Sequence, residues 1–171
     1  MAAGARRFAA KGVAAVTVEE LLAEVDLSRA TFYGLFSSKY NLLENILQPI
    51  FEKAIESMEA LAEAPPRAGL EGMLRVYLEL WETHREGLLL IPAVDPPTFR
   101  HFEAQHRALN DAMSKVLMKA EQADLLRNGS AAYSLTVLAR TAIPLLKVYG
   151  RHPAGHALFE DAMRALLMRE S

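Results

Sequence analysis

The sequence predicts an all-α protein. Apolar residues recur at helical spacing along nearly the whole chain, no segment alternates with the two-residue period of a strand, and helix breakers separate the periodic stretches. The breaks fall at Gly12, at Asp26-Leu27, at Pro65-Pro66, at Pro92 to Pro97, at Asn128-Gly129 and at Gly150 to Pro153. They predict helices over about 3–11, 18–25, 29–35, 39–62, 67–84, 86–91, 98–122, 130–149 and 155–168. There is no internal repeat and no low-complexity run.

Composition narrows the class. Of 171 residues, 51% are hydrophobic and 23% charged, enough apolar material for a packed core and too little charge for a disordered chain. The net charge is -2, so any surface for nucleic acid must be local. Residues 1–40 carry Arg6, Arg7, Lys11, Arg29 and Lys39 against Glu19, Glu20, Glu24 and Asp26, a balance of only +1. Without cysteine, disulfides, thiolate metal sites and thiol redox sensing are excluded. No secretory leader pattern opens the chain, and the apolar stretch from Leu135 to Tyr149 is interrupted by Arg140, Pro144 and Lys147. The expected location is the cytoplasm, with no membrane partner.

The informative segment runs from Thr17 to Leu43. Thr17 and Glu20 have the spacing of a capping box, in which the hydroxyl accepts from the third helical N–H and the carboxylate reaches back. Val16 and Leu21 are placed to staple that end. Ser28 is a second N-cap, with Leu27 and Phe32 at staple positions, and a third start follows at Ser38. Asp26 occupies the turn between the two short helices, a place that favours the left-handed conformation Asp tolerates. Two short capped helices across a tight turn, followed by a long helix, suit a helix-turn-helix whose second helix enters the major groove of DNA. Lys39, in the first turn of its helix, opposes the helix dipole by about 0.3–1 kcal/mol, and a DNA phosphate would relieve that conflict. The plainer alternative is that Lys39 and Arg29 are simply solvated.

Phe8-Ala9-Ala10-Lys11-Gly12, Thr17-Val18-Glu19-Glu20-Leu21 and Leu27 through Leu43 (LSRATFYGLFSSKYNLL) resemble the N-terminal signature of the tetracycline-repressor (TetR) family. The resemblance covers residues 5–47; the remainder agrees only in helix pattern and length. It implies a helix-turn-helix DNA-binding domain over 1–47 and an all-helical effector-binding and dimerisation domain over 48–171. Phe8, Leu21, Leu22, Phe32 and Phe36 would form the small core. Ser28, Arg29, Ala30, Thr31, Tyr33 and Gly34 would lie on the recognition face, and Thr17 and Lys39 would contact phosphates. The first helix is shorter than the family pattern, Gly34 replaces a larger residue, and Asp26 replaces a small one.

Beyond residue 48, Phe99, Phe102, His106, Leu109, Met113, Val116 and Ala120 fall on one stripe expected to be buried. His106 is read first as a packed or edge histidine and second as a ligand donor. His101 and His106, five apart, do not share a face, so no metal site is expected. The segment 130–149 is apolar nearly all round, with Thr136, Arg140, Lys147 and Arg151 as a narrow polar edge. It and the last helix are expected to self-associate across a two-fold axis, and the resembled family pairs these helices into a four-helix dimer interface. Leu135, Ile143, Leu146, Leu158, Phe159, Ala162 and Leu166 are the expected contacts; the alternative is that they only complete the monomer core. Tyr77, Trp81, His84, Phe99, Phe102, His106 and Arg140 combine aromatic walls with a few polar groups, the usual make-up of a ligand pocket, and the resemblance places an effector here.

The expected function is ligand-responsive transcriptional regulation, most simply repression. A homodimer would bind a pseudo-palindromic double-stranded DNA operator and be released by a small, mostly apolar effector that shifts the helix carrying the DNA module. The alternative is a sensor or scaffold of the same fold with weak or lost DNA binding. No phosphate loop, nucleophile motif or metal spacing points to an enzyme, and no cofactor is implied.

Overall fold

The structure is a computed structural model that describes residues 1–169. Among these residues there is no strand, and the chain is built from nine α-helices with two short 3-10 turns. They are α1 (Ala2–Lys11), α2 (Val18–Val25), α3 (Arg29–Leu35), α4 (Lys39–Ala62), α5 (Pro66–Leu90), α6 (Pro96–Phe99), α7 (Glu103–Gln122), α8 (Ala131–Tyr149) and α9 (Gly155–Leu167). Two compact units contain them: residues 1–51 with 84–104, and residues 52–83 with the described residues from 105 onward.

The first unit is organised by its caps. Glu20 N donates to Thr17 Oγ1 at 3.2 Å and Thr17 N donates to Glu20 Oε2 at 3.0 Å, which completes the capping box. Lys11 and the Thr17 N–H hold the Glu20 carboxyl below its usual range. Asp26 closes α2 in the left-handed region (φ 51°, ψ 45°), and Thr31 N donates to Ser28 Oγ at 3.0 Å to open α3. Phe8, Leu21 and Phe32 are buried with Val13, Val16, Leu42 and Leu43, while Leu22 and Phe36 are only half-buried. Thr17→Ala removes the hydroxyl from this box. It should lower the unfolding free energy by about 1 kcal/mol, measured by urea unfolding followed at 222 nm.

The same unit receives the chain again at the end of α5. The predicted helices 67–84 and 86–91 correspond to the two segments of α5, which meet at a kink where His84 leaves helical geometry (φ -135°, ψ 31°). Asp95 caps α6 by accepting from Thr98 N at 3.0 Å and from Thr98 Oγ1 at 2.9 Å, bonds that lower its carboxyl pKa. The predicted helix 98–122 is therefore broken into α6, a 3-10 turn over Arg100–Phe102 and α7. Phe102 stacks on Phe51 with 6.0 Å between ring centroids.

The second unit buries Met58, Met73, Leu74, Trp81, Leu117, Leu138, Phe159 and Met163. Helices α8 and α9 pack on one another. Gly150, at the end of α8, lies directly against the Trp81 indole, so closely that any β-carbon there would overlap the ring. An isolated antiparallel bridge joins Leu126 to Met168; Arg127 N donates to Leu167 O at 2.9 Å and Arg169 N to Leu125 O at 2.8 Å. By length and composition α8 is apolar enough to cross a membrane (mean hydropathy 1.2). It nevertheless places Arg140 and Lys147, both exposed, within that stretch.

Candidate nucleic-acid interface

The surface of α3 is set by what its caps hold inward. Phe32 is buried and meets Tyr33 edge-on at 5.4 Å, leaving the Tyr33 ring 50% exposed. Ser28, Arg29, Ala30, Thr31 and Gly34 are exposed on the same short helix, and Thr17 is exposed at the start of α2. The helix is only seven residues long, so one inward aromatic anchor is enough to leave most of its circumference open.

The cations of this module all have partners inside the chain. Arg6 and Arg7 reach Glu24, Lys11 reaches Glu20, and Arg29 reaches Glu19. Lys39 is held differently. Its ammonium donates to the carbonyls of Ala14 and Val16, both at 2.8 Å, and lies 5.4 Å from the centre of the Tyr40 ring. The dipole conflict expected at Lys39 is thus met by two backbone acceptors rather than left for a phosphate. Nothing in the sequence spacing announces this contact, because the partner carbonyls belong to a loop 23 and 25 residues earlier.

The residues expected in the sensor domain separate. Tyr77, Trp81, His106 and Arg140 belong to the second unit, and His84, Phe99 and Phe102 to the first. Trp81 and Phe102 are buried, and burial pushes the Tyr77 phenol above its usual range. His106, expected on a buried stripe, is exposed and lies 3.3 Å from the Asn110 amide. Met113, Val116 and Ala120 are buried, Leu109 is half-buried and His106 is open. Helical phase identifies a face but not how far along the helix that face stays covered. Arg140 is exposed. No metal-binding cluster of His or carboxylate groups occurs among the described residues.

The expected dimer contacts need a similar correction. Leu146 and Phe159 are 2% and 0% exposed within the single chain, so they are core residues with no side chain to offer a partner. Leu158 and Leu166 are exposed, and Leu135, Ile143 and Ala162 are half-buried. Tyr133 and Val148 of α8, which the sequence analysis did not single out, are 71% and 70% exposed. Tyr133 falls three and seven residues before Thr136 and Arg140, on the polar edge of α8, whereas Val148 is turned about a quarter of the circumference away from it.

An all-α chain that opens with a capped helix-turn-helix belongs to the class of helix-turn-helix proteins. Residues 1–46 match the sequence model of the bacterial regulatory proteins of the tetR family. The chain is 31% identical over 90 residues to YerO, an uncharacterized HTH-type transcriptional regulator of Bacillus subtilis (strain 168). That match spans 50% of this chain and 31% of YerO, so the chain spans about a third of that relative's length. Among solved structures, the ketosteroid transcriptional regulator KstR2 of Mycobacterium tuberculosis superposes with a TM-score of 0.80 at 16% identity, covering 97% of this chain and 91% of that one. The SmeT–triclosan complex, SmeT being the repressor of a Stenotrophomonas maltophilia efflux pump, gives 0.66 at 20% identity, covering 99% and 90%. Residues 1–46 thus match the N-terminal module of the tetR family of regulatory proteins, and the fold as a whole is similar to those of solved TetR-family regulators.

Proposed function

We propose that the chain is a cytoplasmic transcriptional repressor that binds a pseudo-palindromic operator as a homodimer and releases it when a small, mostly apolar effector binds. The observation that carries the reading is the open face of α3, where Ser28, Arg29, Ala30, Thr31, Tyr33 and Gly34 are exposed beside Thr17. A recognition helix needs such a face, with hydroxyl, guanidinium and phenol groups able to meet base edges and phosphates. Two copies would place their α3 helices in successive major grooves, about 34–36 Å apart.

The homodimer reading is supported by the outer faces of α8 and α9. Tyr133, Val148, Leu158 and Leu166 leave large apolar side chains exposed there, with Leu135, Ile143 and Ala162 half-buried beside them. Arg140 and Lys147 make this face a better protein contact than a lipid one, since charges inside a bilayer are costly. The effector is assigned to the second unit around Tyr77, an aromatic ring with a polar tip on the helix that buries Met73, Leu74 and Trp81, the composition of a small-molecule site. Triclosan bound to SmeT supports an apolar ligand by analogy.

The test is selection of bound sequences from random duplex DNA, followed by gel shift. The expected result is a palindromic site with half-sites about one helical turn apart, to which Arg29→Ala binds at least about tenfold more weakly. One observation favours a second reading, a sensor or scaffold that has lost DNA binding: the module's cations are engaged inside the chain. Absence of any salt-dependent duplex binding would decide for that reading.

A further inference from the structure

Helix α2 carries three glutamates, and each holds a cation of the DNA module. Glu24 holds Arg6 and Arg7, and Glu20 holds Lys11, so these two carboxylates tie α2 to α1. Glu19 does something else. It reaches across the turn to Arg29, the only charged side chain in α3. The first turn of a helix favours a carboxylate, but Glu20 already serves that end through its capping box. The Glu19–Arg29 pair is open to solvent, with side chains 60% and 63% exposed. It is therefore cheap to break and adds little to folding. Its position is what matters: the one guanidinium on the proposed recognition face is occupied by a carboxylate of the same chain.

We infer that Glu19 is an intramolecular competitor of DNA for Arg29, an acidic side chain that lowers affinity by requiring the duplex to displace it. This rests on the DNA-binding reading proposed above. For Arg29 to meet a phosphate or the edge of a guanine, the carboxylate must give up the guanidinium. A non-specific duplex offers only phosphates in exchange. A matching site offers a two-pronged acceptor of the geometry a guanidinium prefers. Glu19 thus imposes the same cost on every duplex that takes Arg29, and the matching site has the stronger contact with which to offset it.

The experiment measures binding of the full chain and its Glu19→Gln, Arg29→Ala and double variants by fluorescence anisotropy. Two labelled duplexes are used, one enriched by selection and one of random sequence, over a range of salt. Glu19→Gln should tighten binding to the selected duplex by about 2- to 5-fold, the size of an exposed ion pair lost, and the random duplex by no more than that. In the Arg29→Ala background the Glu19→Gln change should have no effect, because the competitor has nothing left to hold. Glu19→Ala provides a second variant with the same expected direction. The inference is overturned if both Glu19 variants bind as the parent does. Tightening that persists without Arg29 also overturns it, because Glu19 would then act only as a charge repelling phosphates. If neither duplex is bound by the parent or by any variant, the DNA-binding reading itself fails and takes the inference with it.

Discussion

Phe159→Ala is expected to lower the unfolding free energy by about 3–5 kcal/mol. The ring is fully buried among the core residues of the second unit, with Met163 and Leu167 beside it on the inner face of α9. Removing it leaves a cavity that rigid helices close only in part. Chemical unfolding followed at 222 nm checks the value. Leu166→Ala, on the outer face of the same helix, supplies the contrast: Leu166 is 41% exposed, so the single chain loses far less. If Phe159→Ala left the monomer's stability intact and only weakened self-association, the side chain would belong to a partner surface rather than to the core.

Gly150→Ala is the second large effect, an expected loss of about 1–3 kcal/mol from overpacking. Gly150 has ordinary helical dihedrals, φ -64° and ψ -3°, so backbone strain plays no part. The cost is steric: a methyl group would overlap the Trp81 indole, which is only 2% exposed and cannot swing away into solvent. Thermal unfolding should show a lowered midpoint, and the Trp81 fluorescence of the folded variant should shift as the ring is displaced. A variant with parental stability and emission would mean that α8 ends farther from α5 than the packing implies.

Much of the first unit was legible in the sequence because its signals are local. A capping box, a serine cap and a left-handed turn residue act over three or four residues, so Thr17, Glu20, Asp26 and Ser28 announce their roles by spacing alone. What was hidden is non-local. Lys39 bonds a loop far behind it, and Glu19 meets Arg29 only once the turn has brought α2 and α3 together. In the second unit, amphipathic phase identified α8 and α9 but not which apolar residues each spends on the other. Phe159 and Leu158 are chain neighbours, yet one is core and the other open. Two prolines inside helices did not divert the reading. Pro49 lies within α4 and Pro144 within α8, both on exposed sides where water can meet the carbonyls they leave unbonded. The helix 98–122 was overextended, because apolar spacing runs unbroken through the 3-10 turn before α7.

The Lys39 ammonium works as a rivet. Three hydrogens on a compact point charge suit two carbonyls that converge from one loop, and a flat guanidinium would not seat there in the same way. Because the rivet fastens the first turn of α4 to residues 14 and 16, just ahead of the α2 cap, a tilt of that turn drags the start of the helix-turn-helix with it. The helix-turn-helix is therefore fastened at its leading edge to the first turn of α4, and a shift of that turn is passed to residues 14–16 through two bonds rather than through the chain between them.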